Sequence, residues 1–255
     1  SLGVPVVVHE QNSVMGMANK FLAKRAASVA LTYEVAGKDV ADASKLVVTG
    51  NPVRASIASA TRAEGRLMLG VPEDATMLVV FGGSLGARHI NQAICNLKSR
   101  LLAVDDLYIV HITGPKEYDS VVECLALSEE ESRRWTVMAY QDRMPETLAA
   151  ADCAISRAGA TSLAEISALG LPALLVPFPY ATEDHQTTNA KAYVASGAAF
   201  MLPDDALDSE EFSEKLFALI EDESVRAAMR KAAGGFETQD AAAKLAEVVC
   251  RCARA

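Results

Sequence analysis

The chain has 255 residues, of which 51% are hydrophobic and 22% charged, and its formal net charge is −9. This length allows one complete hydrophobic core and part of another. The acidic balance argues against a nucleic-acid-binding protein, so an anionic ligand has to be held by local groups. No apolar run approaches the roughly twenty residues that cross a bilayer and no signal peptide is recognised, which predicts a cytoplasmic protein.

The cysteines give no sign of a disulfide framework or a metal site. They are odd in number and show neither CxxC nor Cys/His ligand spacing, so we interpret them as reduced, small hydrophobic residues and expect no metal and no cofactor. They are Cys95, Cys124, Cys153, Cys250 and Cys252.

The first fifty residues predict a short α/β segment. Residues 4–9 are typical of a strand, residues 15–27 of a helix, and residues 46–49 of a second strand. That strand leads into Gly50, Asn51 and Pro52, a turn at which we place a domain junction.

The rest of the chain alternates apolar runs with helical patterns, which predicts an α/β fold with a doubly wound parallel sheet. Ligands of such sheets bind where the strands end at their carboxyl side. Amphipathic helices are predicted at residues 209–220, 224–233 and 240–253. Strands are predicted at residues 77–81, 107–113, 135–138, 153–155, 172–176 and 199–202.

Two small-residue loops follow predicted strands and open helices. The first, GGSLGA at residues 82–87, precedes a helical pattern at 88–101. Ser84 in this loop has a hydroxyl and an N–H suited to a phosphate, although it also suits a helix N-cap. One glycine loop is a weak signal, because glycines also allow close helix-to-strand packing.

The second loop, residues 156–162, has small residues whose N–H groups can converge on an anion at the following helix start. Glu165, one turn into that helix, is suited to the hydroxyls of an attached ribose. Ser162 and Glu165 equally fit a capping box, and these residues alone leave both interpretations open. The candidate phosphate-binding backbone positions are Ala160, Thr161, Ser162, Leu163 and Ala164.

Six motifs in order along the chain resemble the MurG family. Its members transfer N-acetylglucosamine (GlcNAc) from UDP-GlcNAc to undecaprenyl-diphospho-MurNAc-pentapeptide during bacterial peptidoglycan synthesis. Six motifs in sequence are far more specific than one. They are HEQN at 9–12, GNPVR at 50–54, FGGSLGAR at 81–88, SRAGATSLAEI at 156–166, LPALLVPFP at 171–179 and DHQTTNA at 184–190.

The resemblance implies a GT-B fold, an inverting sugar transfer without a protein-bound metal, and peripheral attachment to the cytoplasmic face of the bacterial plasma membrane. It also implies that residues 1–53 end an acceptor-binding domain, 54–237 form the UDP-GlcNAc-binding domain, and 238–255 form a helix that returns to the first domain. We therefore expect a fragment that binds the donor but is inactive alone. The general base is sought in the first domain, so we assign none here.

The resemblance also suggests roles for single residues. Arg54 matches an arginine that contacts the donor diphosphate, and its alternative is a solvated charge at a helix start. Gln186 and Asn189 have amides suited to sugar hydroxyls, with polar capping as the alternative, which is more serious for Asn189. Gln141 falls where relatives bind the uracil edge through main-chain groups. Asn12 is the candidate on the acceptor side of the cleft.

The histidines are predicted to have no catalytic role. His9 and Glu10 are neighbours on a strand and therefore point to opposite faces. His89, His111 and His185 have no carboxylate at a diagnostic spacing, so we interpret them as surface or packing residues.

Three further alternatives stay open. Another GT-B enzyme, such as a UDP-GlcNAc 2-epimerase, would share the phosphate and ribose contacts, and a non-catalytic nucleotide-sugar-binding module would share the whole donor site.

In the helix at 15–27, apolar residues beside Lys20, Lys24 and Arg25 suit a membrane patch. Packing of that helix on its own sheet is the ordinary alternative, with the apolar side chains directed inward. The apolar residues are Met17, Phe21 and Leu22.

Overall fold

The computed structural model describes residues 3–83, 87–233 and 240–254. The chain begins with a three-stranded parallel sheet in the order β1-β2-β3. Its elements are β1 (Val7–Glu10), α1 (Met17–Ala23), β2 (Ser28–Leu31) and β3 (Leu46–Val48).

A six-stranded parallel sheet follows, with the order β6-β5-β4-β7-β8-β9. The predicted doubly wound parallel sheet is confirmed. The elements are α2 (Ala55–Ser59), α3 (Arg62–Leu69), β4 (Thr76–Phe81), α4 (Arg88–Asn96), α5 (Lys98–Leu102), β5 (Leu107–Ile112), α6 (Tyr118–Leu125), β6 (Trp135–Met138), α7 (Met144–Ala150), β7 (Cys153–Ser156), α8 (Ala160–Ala168), β8 (Ala173–Leu175), α9 (His185–Ala195), β9 (Ala199–Met201), α10 (Glu210–Glu221), α11 (Glu223–Ala233) and α12 (Ala241–Arg254).

Strand β4 shows why apolar runs form the centre of this sheet. Leu78 and Val80 pack with Ile90 of α4 on one face, together with residues of α6 and α10. Met77 and Val79 pack on the other face with residues of α7, α8 and α9. Both faces of the strand are covered by helices, so every one of these positions is apolar rather than every second one.

The chain order reverses between β4 and β7, which lie side by side at the centre of the sheet. Phe81 at the end of β4 pairs with Ser156 at the end of β7. The loops that leave these two strands therefore start together at one edge, and a crevice forms where they diverge. This crevice lies at the carboxyl ends of the strands, as the sequence predicts.

The N-terminal sheet differs from prediction in two respects. The predicted helix extends to residue 27, whereas α1 ends at Ala23, and the strand β2 that begins at Ser28 is not predicted. Helix α12 packs against β1 and β2. The proposed domain limits remain a prediction, and the limit at 237/238 lies outside the described residues.

Helix α1 does not direct its large apolar side chains at the protein, in contrast to the expectation. Among its residues only Ala23 is buried. Met17 is 78%, Phe21 63% and Leu22 46% exposed. The expectation that these three side chains pack inward is therefore wrong.

Gly65 of α3 allows a close approach to α7. A Cβ at this position would lie 2.1 Å from the carbonyl oxygen of Glu146. We expect Gly65→Ala to lower the free energy of unfolding by about 3 kcal/mol, since the contact is with backbone and neither helix can move freely. Chemical denaturation measures the change.

Gly16 provides the matched control. Its φ is −65° and a Cβ there meets nothing within 4 Å, so Gly16→Ala should lower the free energy of unfolding by about 1 kcal/mol or less, the cost of replacing glycine at the N-cap of α1. Equal losses of stability in the two variants would contradict the close packing of α3 on α7.

Candidate functional site

Two cavities lie side by side at the carboxyl edge of the six-stranded sheet. The first, of about 730 Å³, contains most of the residues predicted to bind ligand. The second, of about 720 Å³, shares Gly83, Gly159 and Ser162 with the first. Predicted residues that line the first cavity are Asn12, Arg54, Gln141, Ala160, Thr161, Ser162 and Glu165.

The other predicted residues are distributed differently. Gln186 lines the second cavity. Leu163 and Ala164 are buried in the helix interior, so only their backbone groups are candidates for a ligand contact. Ser84 lies outside the described residues.

Helix α8 begins between the two cavities. Its N-cap is Gly159, which provides no side-chain cap, and the N–H of Leu163 donates to the Gly159 carbonyl at 2.9 Å. The N–H groups of Ala160, Thr161 and Ser162 precede this first intrahelical bond and therefore have no partner within the helix. Such a helix start favours a bound anion.

The capping-box interpretation of Ser162 and Glu165 is wrong. It requires Ser162 at the N-cap, but Ser162 is the third residue of α8. The carboxylate of Glu165 accepts from Arg54 instead, from Nε at 3.1 Å and from Nη2 at 2.8 Å. The two residues predicted to contact separate parts of a ligand thus form an ion pair with each other.

Gln141 lies in the loop after β6 and bends back onto that loop. Its Oε1 accepts from the N–H of Arg143 at 3.0 Å. The amide is thereby engaged within its own segment, which is compatible with a ligand contact through the main chain.

Gln186, near the start of α9, has a fixed orientation. Its Oε1 accepts from the N–H of Ala158 at 3.2 Å and from the N–H of Phe178 at 2.9 Å. These bonds identify Nε2 as the donor end, and that amide group lines the second cavity.

Asn189 does not occupy either cavity. Its side chain is fully buried. Oδ1 accepts from the N–H and Oγ of Ser13, both at 2.8 Å, and Nδ2 donates to Asn12 Oδ1 at 3.1 Å. The expected sugar contact is therefore replaced by a structural one, because the amide links the loop after β1 to the six-stranded unit.

Glu10 has a role that the sequence analysis missed. It is 3% exposed and accepts from the N–H of Asn12 at 2.9 Å, from Gly16 at 3.0 Å and from Asn19 Nδ2 at 2.8 Å. Burial raises the pKa of Glu10, but these hydrogen bonds outweigh it and hold the pKa below its usual value. His9 bonds instead to the Gly50 carbonyl, as expected for neighbours on a strand.

His89 is partly exposed, and it has acidic partners that the sequence does not indicate. Its Nδ1 lies 2.8 Å from Asp204 Oδ2 and its Nε2 3.4 Å from Asp208 Oδ2. Asp204 Oδ1 in turn lies 2.5 Å from Nη1 of Arg157. His89, Asp204 and Arg157 form a chain of polar contacts along the second cavity.

The other two histidines behave as predicted. His111 is buried, and burial lowers its pKa to about 4. Its Nε2 lies 3.0 Å from Asn91 Oδ1. His185 is partly exposed and bonds to the Thr182 carbonyl.

The fold and the paired cavities define an α/β domain of the GT-B type. The model of the glycosyltransferase family 28 C-terminal domain matches residues 77–245, and the chain belongs to this family. A crystal structure of MurG from Acinetobacter baumannii has a TM-score of 0.72 at 24% identity, covering 98% of this chain and 67% of that one.

Curated relatives confirm the resemblance to the MurG family. Both described here are named UDP-N-acetylglucosamine–N-acetylmuramyl-(pentapeptide) pyrophosphoryl-undecaprenol N-acetylglucosamine transferase. The protein of Carboxydothermus hydrogenoformans is 40% identical over 91% of this chain, which spans 62% of its length. The protein of Acetivibrio thermocellus is 34% identical over 96% of this chain, which spans 66% of its length.

His89 gives a pH-dependent prediction. The hydrogen bond to Asp204 raises the pKa of His89 above its usual value, against a smaller opposing effect of burial. Its ion pairs therefore stabilise the fold fully below the unfolded pKa of about 6.5, and this contribution is lost as the pH rises through the folded value. His89→Gln should thus be less stable than the parent at about pH 6 and should approach it at about pH 9.

Thermal unfolding of both proteins across this pH range measures the difference. His185→Gln is the control, because His185 bonds only to a backbone carbonyl. A stability difference that does not change with pH would contradict the assigned pairing.

Proposed function

We propose that this chain forms the donor side of an inverting glycosyltransferase that moves GlcNAc from UDP-GlcNAc to the 4-hydroxyl of lipid-linked MurNAc-pentapeptide. The observation that carries the proposal is the arrangement of the two cavities on either side of the α8 N-terminus. One has a carboxylate suited to a ribose, the other an amide suited to a sugar, and an anion site lies between them. This is the order of groups in a nucleoside diphosphate sugar.

The nucleoside fits the first cavity. The Glu165 carboxylate is suited to accept from the two ribose hydroxyls, and the main chain beside Gln141 is suited to the uracil edge; both residues line this cavity. Neither the ribose contact nor the uracil contact requires a charged group other than Glu165.

The diphosphate fits between the cavities. The N–H groups of Ala160, Thr161 and Ser162 and the positive end of the helix dipole attract its negative charge. As the bond between the sugar and the diphosphate breaks, charge grows on the departing UDP, and oriented backbone donors stabilise it without reorganising.

The sugar fits the second cavity, where Gln186 offers Nε2 as a donor to its hydroxyls. The names of the relatives favour GlcNAc as this sugar and favour transfer over 2-epimerisation. Asn12, on the loop after β1, is the candidate contact for the incoming acceptor. We assign no general base.

Donor binding is directly testable. We expect the 255-residue chain to bind UDP and UDP-GlcNAc, and Glu165→Gln to weaken both by about tenfold or more, since charge-assisted hydrogen bonds contribute about 1.5–3 kcal/mol. Calorimetry measures the affinity, and circular dichroism shows that each protein is folded.

Glu131→Gln is the control, because this acid pairs with Lys98 and does not line either cavity. It should keep the affinity of the parent. A folded chain that binds no UDP would contradict the donor-site proposal.

We also propose peripheral membrane attachment through α1. Met17, Phe21 and Leu22 are exposed beside Lys24 and Arg25, a combination suited to an anionic lipid surface. No helix in the described part of the chain is long and apolar enough to cross a membrane.

Co-sedimentation with vesicles of anionic phospholipid tests this proposal. Phe21→Ser and the double variant Lys24→Glu, Arg25→Glu should each reduce the bound fraction at least twofold. Lys20 is left unchanged, because it forms ion pairs with Asp39 and Glu183. Val249→Ser, at an exposed apolar position on α12, is the control and should bind like the parent. Equal binding by all four proteins would exclude α1 as the membrane surface.

A further inference from the structure

Arg54 and Glu165 form an asymmetric ion pair at the wall of the first cavity. Both Nε and Nη2 of Arg54 donate to a single oxygen, Oε1 of Glu165. Among the described residues, no group donates to Oε2. One carboxylate oxygen is therefore held by the protein while the other remains available as an acceptor.

The two partners differ in burial. The side chain of Glu165 is 7% exposed, whereas that of Arg54 is 56% exposed. A buried carboxylate is costly to leave without a partner, and an exposed arginine is not. The ion pair therefore stabilises the buried charge of Glu165 more than that of Arg54.

The backbone around both residues is also fixed. Asn51, three residues before Arg54, is 2% exposed and donates to the carbonyl of Ala160 at the start of α8 at 3.2 Å. Ile57, three residues after Arg54, is 1% exposed within the core. The segment that carries Arg54 is therefore anchored to the helix that carries Glu165.

We propose that Arg54 is a positioning residue for the nucleoside, which acts by orienting the Glu165 carboxylate toward the ribose rather than by neutralising the diphosphate. This rests on the proposed function, since it assigns Glu165 to the ribose. If Arg54 turned to the diphosphate instead, the buried acid would lose its ion pair at the moment of ligand binding. The N–H groups at the α8 start hold the diphosphate without it.

Comparison of ligands with and without phosphate distinguishes the two roles. In the 255-residue chain we expect Arg54→Gln to weaken uridine and UDP by the same factor, about fivefold to tenfold. Arg54→Lys should recover less than half of this loss on a logarithmic scale, because one ammonium cannot reproduce the two guanidinium bonds. Calorimetry gives the UDP affinity, and NMR titration gives that of uridine.

A double-mutant cycle distinguishes an action through Glu165 from a general loss of positive charge. In a Glu165→Gln background, Arg54→Gln should have no further effect on uridine, because its action passes through the acid. Arg62→Gln is the control: this arginine also pairs with acids, Glu73 and Asp152, but it does not line either cavity. It should leave the uridine affinity unchanged.

The outcomes separate the two proposals. A loss of UDP affinity in Arg54→Gln with unchanged uridine affinity would overturn the positioning role and assign Arg54 to the diphosphate. If Arg54→Gln lowered the uridine affinity equally in the presence and absence of Glu165, the positioning role would be overturned as well. A folded parent chain that binds neither ligand would overturn the proposed function itself.

Discussion

The reversal of strand order between β4 and β7 is the constraint on which the candidate site depends. Because these neighbouring strands run parallel, their carboxyl ends coincide, and the loops that follow Phe81 and Ser156 must part in opposite directions. Helix α8 starts within this gap, so its free N–H groups face an opening rather than packed side chains. Both cavities are consequences of this one topological feature, and the side chains of Glu165 and Gln186 then give them different chemistry.

A chain of buried polar contacts connects the N-terminal sheet to this gap. Glu10 holds the loop after β1, Ser13 in that loop donates to Asn189, and Asn189 donates to the carbonyl of Ala158, just before α8. A buried carboxylate and a buried amide are unfavourable unless they are fully bonded, so the loop has little freedom to move once these bonds form. The position of Asn12 relative to the first cavity is therefore set by residues that do not line either cavity.

The sequence predicts the sheet far better than the contacts between its loops. Buried strands such as β4 are uninterrupted apolar runs, and a glycine loop after such a run marks the site edge without knowledge of the fold. Strand β2 is not predicted because its four residues, SVAL, are too few to show a periodic pattern. His89 and Asp204 are 115 residues apart, and Asn189 lies 176 residues from Ser13. Such distant pairs leave no pattern of local spacing in the sequence. A polar side chain that binds a ligand therefore cannot be distinguished by sequence from one that links two segments of the chain.

The electrostatics of the site follow from these pairs. Each arginine that lines the described part of the two cavities already has an acidic partner: Arg54 has Glu165, Arg88 has Glu117, and Arg157 has Asp204. The walls are thus nearly neutral, and the chain as a whole carries a charge of −9. The proposed attraction of a diphosphate would therefore depend on backbone dipoles at the α8 start more than on free positive charge. Since dipoles act only at short range and in one direction, they favour a ligand whose two ends are already held in the flanking cavities over a free phosphate. The positioning role proposed for Arg54 agrees with this distribution of charge, because its guanidinium is already bonded to Glu165.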